Sequence, residues 1–493
     1  MSRLLLSRRG FLKGTAASAG ALAATLTLGR GLRTEAAVEP GASPQFRALA
    51  GVVEALMADA YVPGAALAVF GNGREEIATF GVVEAGRNEP VSFETRFQNG
   101  SITKPYTAMA AMRLAQDGKL NIDVPVRAYI PELHLADART TDHVTIRHLL
   151  THTGGWWGDG LIDTGDDDAA LVRFVGEELP RLPQISPLGE HITYNNAAIS
   201  LLGRVIEIVH GGTYRQAMQD LVFDPLRLTR TTFDPSVVFN GPYAIGHGPQ
   251  DGDLAAKITP LLLPRSADPA GGIWTDIRDQ IRFGRAQFGD ESVTGPRVLE
   301  AAALREMQSP LFEVDGGALG WAWSLAEVEG VRIVSHDGAT FGQAAFLLVA
   351  PAQRFAFALL TNSQLGLAVL EPALAAAFEQ YFGIDISSGE DGGTPQTIAL
   401  TPAELAEYAG RYELPNNSFV LRVEDGKLMV EHTLLHFPGA VMPSNARTLP
   451  RSELAFVRKD LALISMTAPV GFVRKADHSI GWLTLGSRLV PKI

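Results

Sequence analysis

Apolar and polar positions set out two periods along the chain. Residues 66–70 (ALAVF) and 76–81 (EIATFG), joined through Gly71-Asn72-Gly73, predict a hairpin with a short glycine-containing turn. The apolar run 106–114, preceded by Ser101 and followed by Gly118, predicts a helix from about Thr103 to Asp117, with Pro105 in the first turn where its missing N–H costs little. Residues 120–130 and 145–150 read as short helical or connecting segments, followed by the glycine- and tryptophan-containing loop 151–157. A helix-rich middle runs from 169 to about 287 and contains an apolar helix at 197–209 that Gly211-Gly212 stop. Strands return at 331–335, 344–349 and 355–361, and a helix at 368–382 closes the region. Strands at both ends with helices between them predict an α+β fold, an antiparallel sheet flanked by helices with an inserted helical lobe.

The pattern changes after residue 386. Residues 387–398 read as a polar, glycine-rich linker, and 399–493 as a separate unit of about 95 residues. There a short helix at 401–408 precedes strands at 419–423, 428–431, 454–458, 461–466, 471–475 and 482–486, with Asp425-Gly426 as a hairpin turn. Such spacing predicts a small antiparallel barrel. At the other end, residues 1–37 read as an export segment of the twin-arginine type: Ser7-Arg8-Arg9-Gly10-Phe11-Leu12-Lys13, a mild apolar run, then small residues at 34–37. That run is too short and too rich in alanine and glycine to be a permanent membrane span.

Composition removes several classes of function. Cysteine is absent, which excludes disulfides and cysteine metal sites. A net charge of −12 and the lack of any basic patch with interleaved aromatics argue against a nucleic-acid partner. Asp166-Asp167-Asp168 reads as a solvated loop entering a helix.

The chemistry concentrates at Ser101-Ile102-Thr103-Lys104. In a helix beginning near Ser101, the spacing stacks the lysine amine one turn above the serine hydroxyl. Serine is a poor nucleophile until a neighbour takes its proton, and lysine can do so only when burial or a second positive charge lowers its pKa. The alternative is a helix cap followed by a solvated lysine. Only eight of the 42 basic residues are lysines and this is the chain's single Ser-x-x-Lys, so a lysine kept in an alanine- and methionine-rich segment points to an amine that must lose its proton. Tyr194 and Asn196, just ahead of the 197–209 helix, offer a phenol for proton relay and an amide for a substrate carbonyl; a helix cap is the other reading. His336-Asp337-Gly338 would place a polar side chain and a closely approaching backbone on a sheet edge, or form a turn. His152-Thr153-Gly154 and His210-Gly211-Gly212 share that spacing, so the pattern alone selects nothing.

In this order the three motifs resemble those of the penicillin-recognising serine hydrolases, in the branch holding class C β-lactamases, D-alanyl-D-alanine carboxypeptidases, D-aminopeptidases and esterases. Segments 145–155, 269–275, 336–351 and 359–362 are also similar to that family, over roughly residues 44–382, and residues 405–412 (LAEYAGRY) are similar to the start of an appended lipocalin-like barrel. The resemblance implies a β-lactamase/transpeptidase-like hydrolase domain over 38–386, a small-molecule or short-peptide substrate, and no cofactor or metal. It implies that Ser101 is acylated while Lys104 and Tyr194 exchange its proton, as a pair that titrates jointly. It implies that Asn196 holds the substrate amide, that His336 and Gly338 flank the substrate, and that the amides of Ser101 and Ala339 form an oxyanion hole. Where classical members carry lysine in the third motif this chain has His336, mostly neutral at pH 7 and charging near pH 6.5 if unperturbed. A fixed charge for a substrate carboxylate is therefore expected to be missing, which weakens a β-lactamase reading and favours an amidase, aminopeptidase or esterase; of these a peptidase or amidase is the reading taken. A carboxylesterase or β-lactamase on the same site is the alternative, and a noncatalytic penicillin-binding or sensor protein the alternative of another class. Oligomeric state is left open by the sequence.

Overall fold

The computed structural model describes residues 36–250, 252–293, 298–314, 317–386, 396–437, 447–464 and 468–493. The twin-arginine pattern and most of the linker fall outside them. Among the described residues nine strands form one antiparallel sheet: β1 (Ala37–Val38), β2 (Gly64–Gly71), β3 (Arg74–Gly81), β4 (Phe312–Val314), β5 (Gly317–Leu319), β6 (Ser324–Val328), β7 (Val331–Ala339), β8 (Ala344–Ala350) and β9 (Phe355–Thr361), in spatial order β1-β3-β2-β9-β8-β7-β6-β5-β4. The predicted β2–β3 hairpin pairs Gly71 with Arg74. The β4–β5 hairpin, and a small hairpin of His247–Gln250 with Asp253–Lys257 inside the helix-rich middle, are strands that the sequence pattern does not announce.

The central strands are apolar on both faces, and successive side chains serve different layers. Phe355, Phe357 and Leu359 of β9 pack with α1 (Pro44–Asp59) and α5 (Leu367–Phe382), through Phe46, Leu49, Val53, Val369 and Leu374. Ala356, Ala358 and Leu360 face the opposite layer, which holds α2 (Thr103–Gln116), α3 (Asn196–His210) and α4 (Ile277–Ala286). This is the sheet-and-helices architecture expected from the sequence. Asp167 behaves as a helix entry, accepting the Ala169 N–H at 2.9 Å and pairing with Arg173 at 2.7 Å.

A second antiparallel sheet follows helix α6 (Pro402–Tyr408): β10 (Gly410–Leu414), β11 (Asn417–Glu424), β12 (Lys427–Leu434), β13 (Ser452–Arg458), β14 (Leu461–Ile464), β15 (Ala468–Arg474), β16 (Ile480–Leu485) and β17 (Arg488–Pro491), paired in that order. Tyr412 bridges to Lys492, so the first and last strands meet and the sheet is a nearly closed barrel. Strands β10 and β17, which bring this closure about, are absent from the sequence-based reading.

The barrel packs against the hydrolase-like domain. The Trp482 Nε1–H donates to Ile185 O at 2.9 Å, Leu489 N–H to Thr193 Oγ1 at 3.3 Å, and the Trp157 and Phe437 rings meet edge-on at 4.7 Å. Apolar contacts run without a break from Trp157 and Ile185 into Leu483 and Leu489. No helix among the described residues is long and apolar enough to cross a membrane.

Candidate active site

Three elements converge on Ser101. The serine sits in a single 3-10 turn, Gly100–Ile102, that leads directly into α2. One turn on, Lys104 is fully buried (0% exposed), and its Nζ donates to Ser101 Oγ at 3.0 Å and to Ala270 O at 2.7 Å. The spacing argument for a serine with its amine stacked above it is met, and the alternative of a solvated lysine is not. The Tyr194 hydroxyl donates to the same Ser101 Oγ at 2.6 Å from the entry to α3.

That entry is held by Asn195 rather than Asn196. Asn195, itself fully buried, is the N-cap: its Oδ1 accepts from Ala198 N–H at 2.7 Å and its Nδ2 donates to Trp156 O at 2.7 Å. Asn196 is the first helical residue, half-buried, with its N–H donating to Gly158 O at 3.1 Å. The cap reading of the motif thus falls on Asn195, which leaves the Asn196 side chain outside the cap.

The third motif is strand, not turn. Pairing of β7 with β6 ends at Ser335, whereas pairing with β8 continues through Ala339, so residues 336–339 extend beyond the end of β6. This extension abuts the nucleophile turn. A Cβ on Gly338 would run into Asn99 O and lie 3.1 Å from Ser101 N, and one on Gly100, at φ +53°, would lie 2.8 Å from Ala339 N. Two glycines are therefore needed for the strand end and the turn to touch, which brings the Ser101 and Ala339 segments together.

Burial decides the protonation states. It holds Lys104 well below the usual amine range, with the Arg488 guanidinium lowering it further and Asp159 and Asp337 acting against the shift. Burial also pushes the Tyr194 phenol above its ordinary value. The amine is moved toward the neutral form that can accept a proton, while the phenol is held protonated. His336, 8% exposed, is lowered to about 4, chiefly by burial, and its Nδ1 lies 2.5 Å from Asp337 O. The ring loses its hydration without gaining an adequate counter-charge, which shifts it further toward the neutral form expected at pH 7.

Sequence reasoning missed two residues. His152, in a left-handed backbone (φ +58°), packs its ring 4.6 Å from that of Tyr194, and its Nδ1 accepts the Asn195 N–H at 3.2 Å. Burial and the Lys104 amine keep it well below the ordinary imidazole value. Its signal was the same histidine–x–glycine spacing that selected nothing. Arg488, from the start of β17, places its guanidinium carbon 4.8 Å from the Tyr194 ring centroid, the same distance as Lys104 Nζ, while its Nε donates to Asp159 Oδ2 at 2.6 Å. A positive charge thus reaches the site from the barrel, where the sequence pattern shows no catalytic constellation.

A family model described as Beta-lactamase matches residues 49–381, close to the span of the sequence resemblance. The chain is 33% identical over 375 residues to Penicillin-binding protein 4 of Amycolatopsis lactamdurans, covering 73% of this chain and 95% of that protein. It is 29% identical over 264 residues to a beta-lactamase of Yersinia enterocolitica, covering 54% of this chain and 65% of the relative. Among solved structures, SurE superposes with a TM-score of 0.71 at 23% identity over 91% of this chain and 99% of its own. A class C beta lactamase from Rhodobacter sphaeroides gives 0.55 at 22% identity over 67% and 99%. On its motifs, fold and relatives, the chain belongs to the β-lactamase family of serine hydrolases.

Proposed function

We propose that this protein is an exported serine hydrolase that cleaves an amide, as a peptidase or amidase, through an acyl-enzyme on Ser101. The observation that carries the reading is the convergence of Lys104 Nζ and Tyr194 OH on Ser101 Oγ, at 3.0 and 2.6 Å, with the lysine fully buried. Ser101 Oγ attacks the substrate carbonyl and its proton passes to Lys104, which burial favours as the neutral base. Tyr194 relays that proton to the leaving group as the scissile bond breaks, and water then releases the acyl group by the reverse route. Asn196 holds the substrate amide, His336 and Gly338 line the strand edge beside it, and the Ser101 and Ala339 amides stabilise the oxyanion. Export through the twin-arginine route rests on Ser7-Arg8-Arg9-Gly10-Phe11-Leu12-Lys13.

Labelling with a fluorophosphonate or penicillin probe, followed by mass spectrometry, is the test. Wild type is expected to take label on Ser101 and Ser101→Ala to take none. An unlabelled wild type, or a labelled Ser101→Ala, would overturn catalysis at Ser101. Turnover of D-amino-acid anilides against p-nitrophenyl esters then separates the amidase from an esterase.

A further inference from the structure

The barrel does more than lie beside the site. Tyr194 N–H donates to Ser487 O at 2.8 Å, and Leu489 N–H donates to Thr193 Oγ1 at 3.3 Å, so residues 487–489 hold the backbone on which Tyr194 is mounted. Between these bonds Arg488, a quarter exposed, is clamped by Asp159 and lies against the ring whose hydroxyl meets Ser101. We propose that Arg488 is a positioning residue of the hydrolase site, and that the β16–β17 turn carrying it fixes Tyr194 and sets the pH range in which Ser101 is acylated. This rests on the acyl-enzyme reading above.

The groups that face the Ser101–Lys104–Tyr194 trio among the described residues are His152 after α2, Asp159 from the loop before α3, His336 and Asp337 on β7, and Arg488 on β17. Burial keeps both histidines neutral at pH 7, and Arg488, Asp159 and Asp337 are the groups whose electrostatics act on the lysine amine. Arg488 is the one that disfavours a protonated lysine amine, while Asp159 and Asp337 favour it. Its charge also lowers the phenol's proton affinity, so whichever group of the pair takes the serine proton, losing the arginine moves the reaction the same way.

The experiment follows the rate of labelling of the full chain by a neutral fluorophosphonate between pH 5.5 and 9.5, for wild type, Arg488→Met and Arg488→Lys. Loss of the charge is expected to move the acid limb to higher pH, slowing Arg488→Met about tenfold at the acid end while the rates converge at the alkaline end. Arg488→Lys restores the wild-type limb. If Arg488→Met is too poorly folded to assay, Asp159→Asn gives the opposite sign: it keeps an acceptor for the arginine but removes a negative charge, so its acid limb moves to lower pH. A uniform slowing at every pH, or limbs that stay in place in both variants, would overturn the inference. So would an unchanged limb combined with a raised KM confined to carboxylate-bearing substrates, since Arg488 would then act on substrate. These results leave the acyl-enzyme intact, whereas failure of wild type to label would remove the hydrolase reading itself.

Discussion

His336 carries a consequence that its position in the sequence reverses. An exposed imidazole would gain charge between pH 8 and 5.5 and draw carboxylate-bearing substrates toward the strand edge. Buried, with its pKa lowered to about 4, it stays neutral across that whole interval. The ratio of kcat/KM for a carboxylate-bearing ester to that for its neutral methyl ester is therefore expected to be flat from pH 8 to 5.5. A rise of about tenfold on acidification would show that the ring charges and faces the substrate. The same group bears on stability. With the folded pKa below the unfolded value near 6.5, the unfolded chain binds the proton first, so its contribution is present above pH 6.5 and is lost as pH falls toward 4. Ser101, Lys104 and Tyr194 were legible from spacing and order, because a three-residue step in a helix fixes two side chains on one face. The protonation of His336 was not, because it depends on what seals the site from water.

At the scale of elements, the entry to α3 links packing to chemistry. Asn195 caps the helix, ties it to Trp156 O, and immediately follows the tyrosine that reaches Ser101. Asn195→Ala is expected to cost about 1–2 kcal/mol for the lost cap, with a further penalty for the unpaired Trp156 carbonyl, and to slow labelling of Ser101 as Tyr194 loses its anchor. Equal labelling rates together with a lowered Tm would mean that Tyr194 is held by other contacts alone. The apolar period of α3, its glycine stop and the apolar runs of β7–β9 were readable because burial imposes a pattern on sequence. Strands β10 and β17 were not: five and four residues long, with charged Arg411 and Arg488 among them, they carry too few alternations to separate a short strand from a loop.

For the whole molecule, the question is whether the barrel can be removed. Among the described residues every strand of the nine-stranded sheet lies before residue 386 and no barrel strand joins it. Yet Tyr194, Thr193, Asp159 and Ile185 all bond to the barrel. A chain ending at Ile386 is therefore expected to melt cooperatively at a lower Tm and to label Ser101 at least about tenfold more slowly than the full chain. Labelling at the wild-type rate would make the barrel a passive cover. The join was illegible because contacts between distant segments leave no local period. It also has a consequence in time. Arg488 follows Ser101 by 387 positions (488 − 101), so a ribosome adding about 5–20 residues per second finishes the serine and its lysine roughly 20–80 s before the arginine exists. The nascent chain spends that interval with a nucleophile already made and the last charge of its site still to be translated.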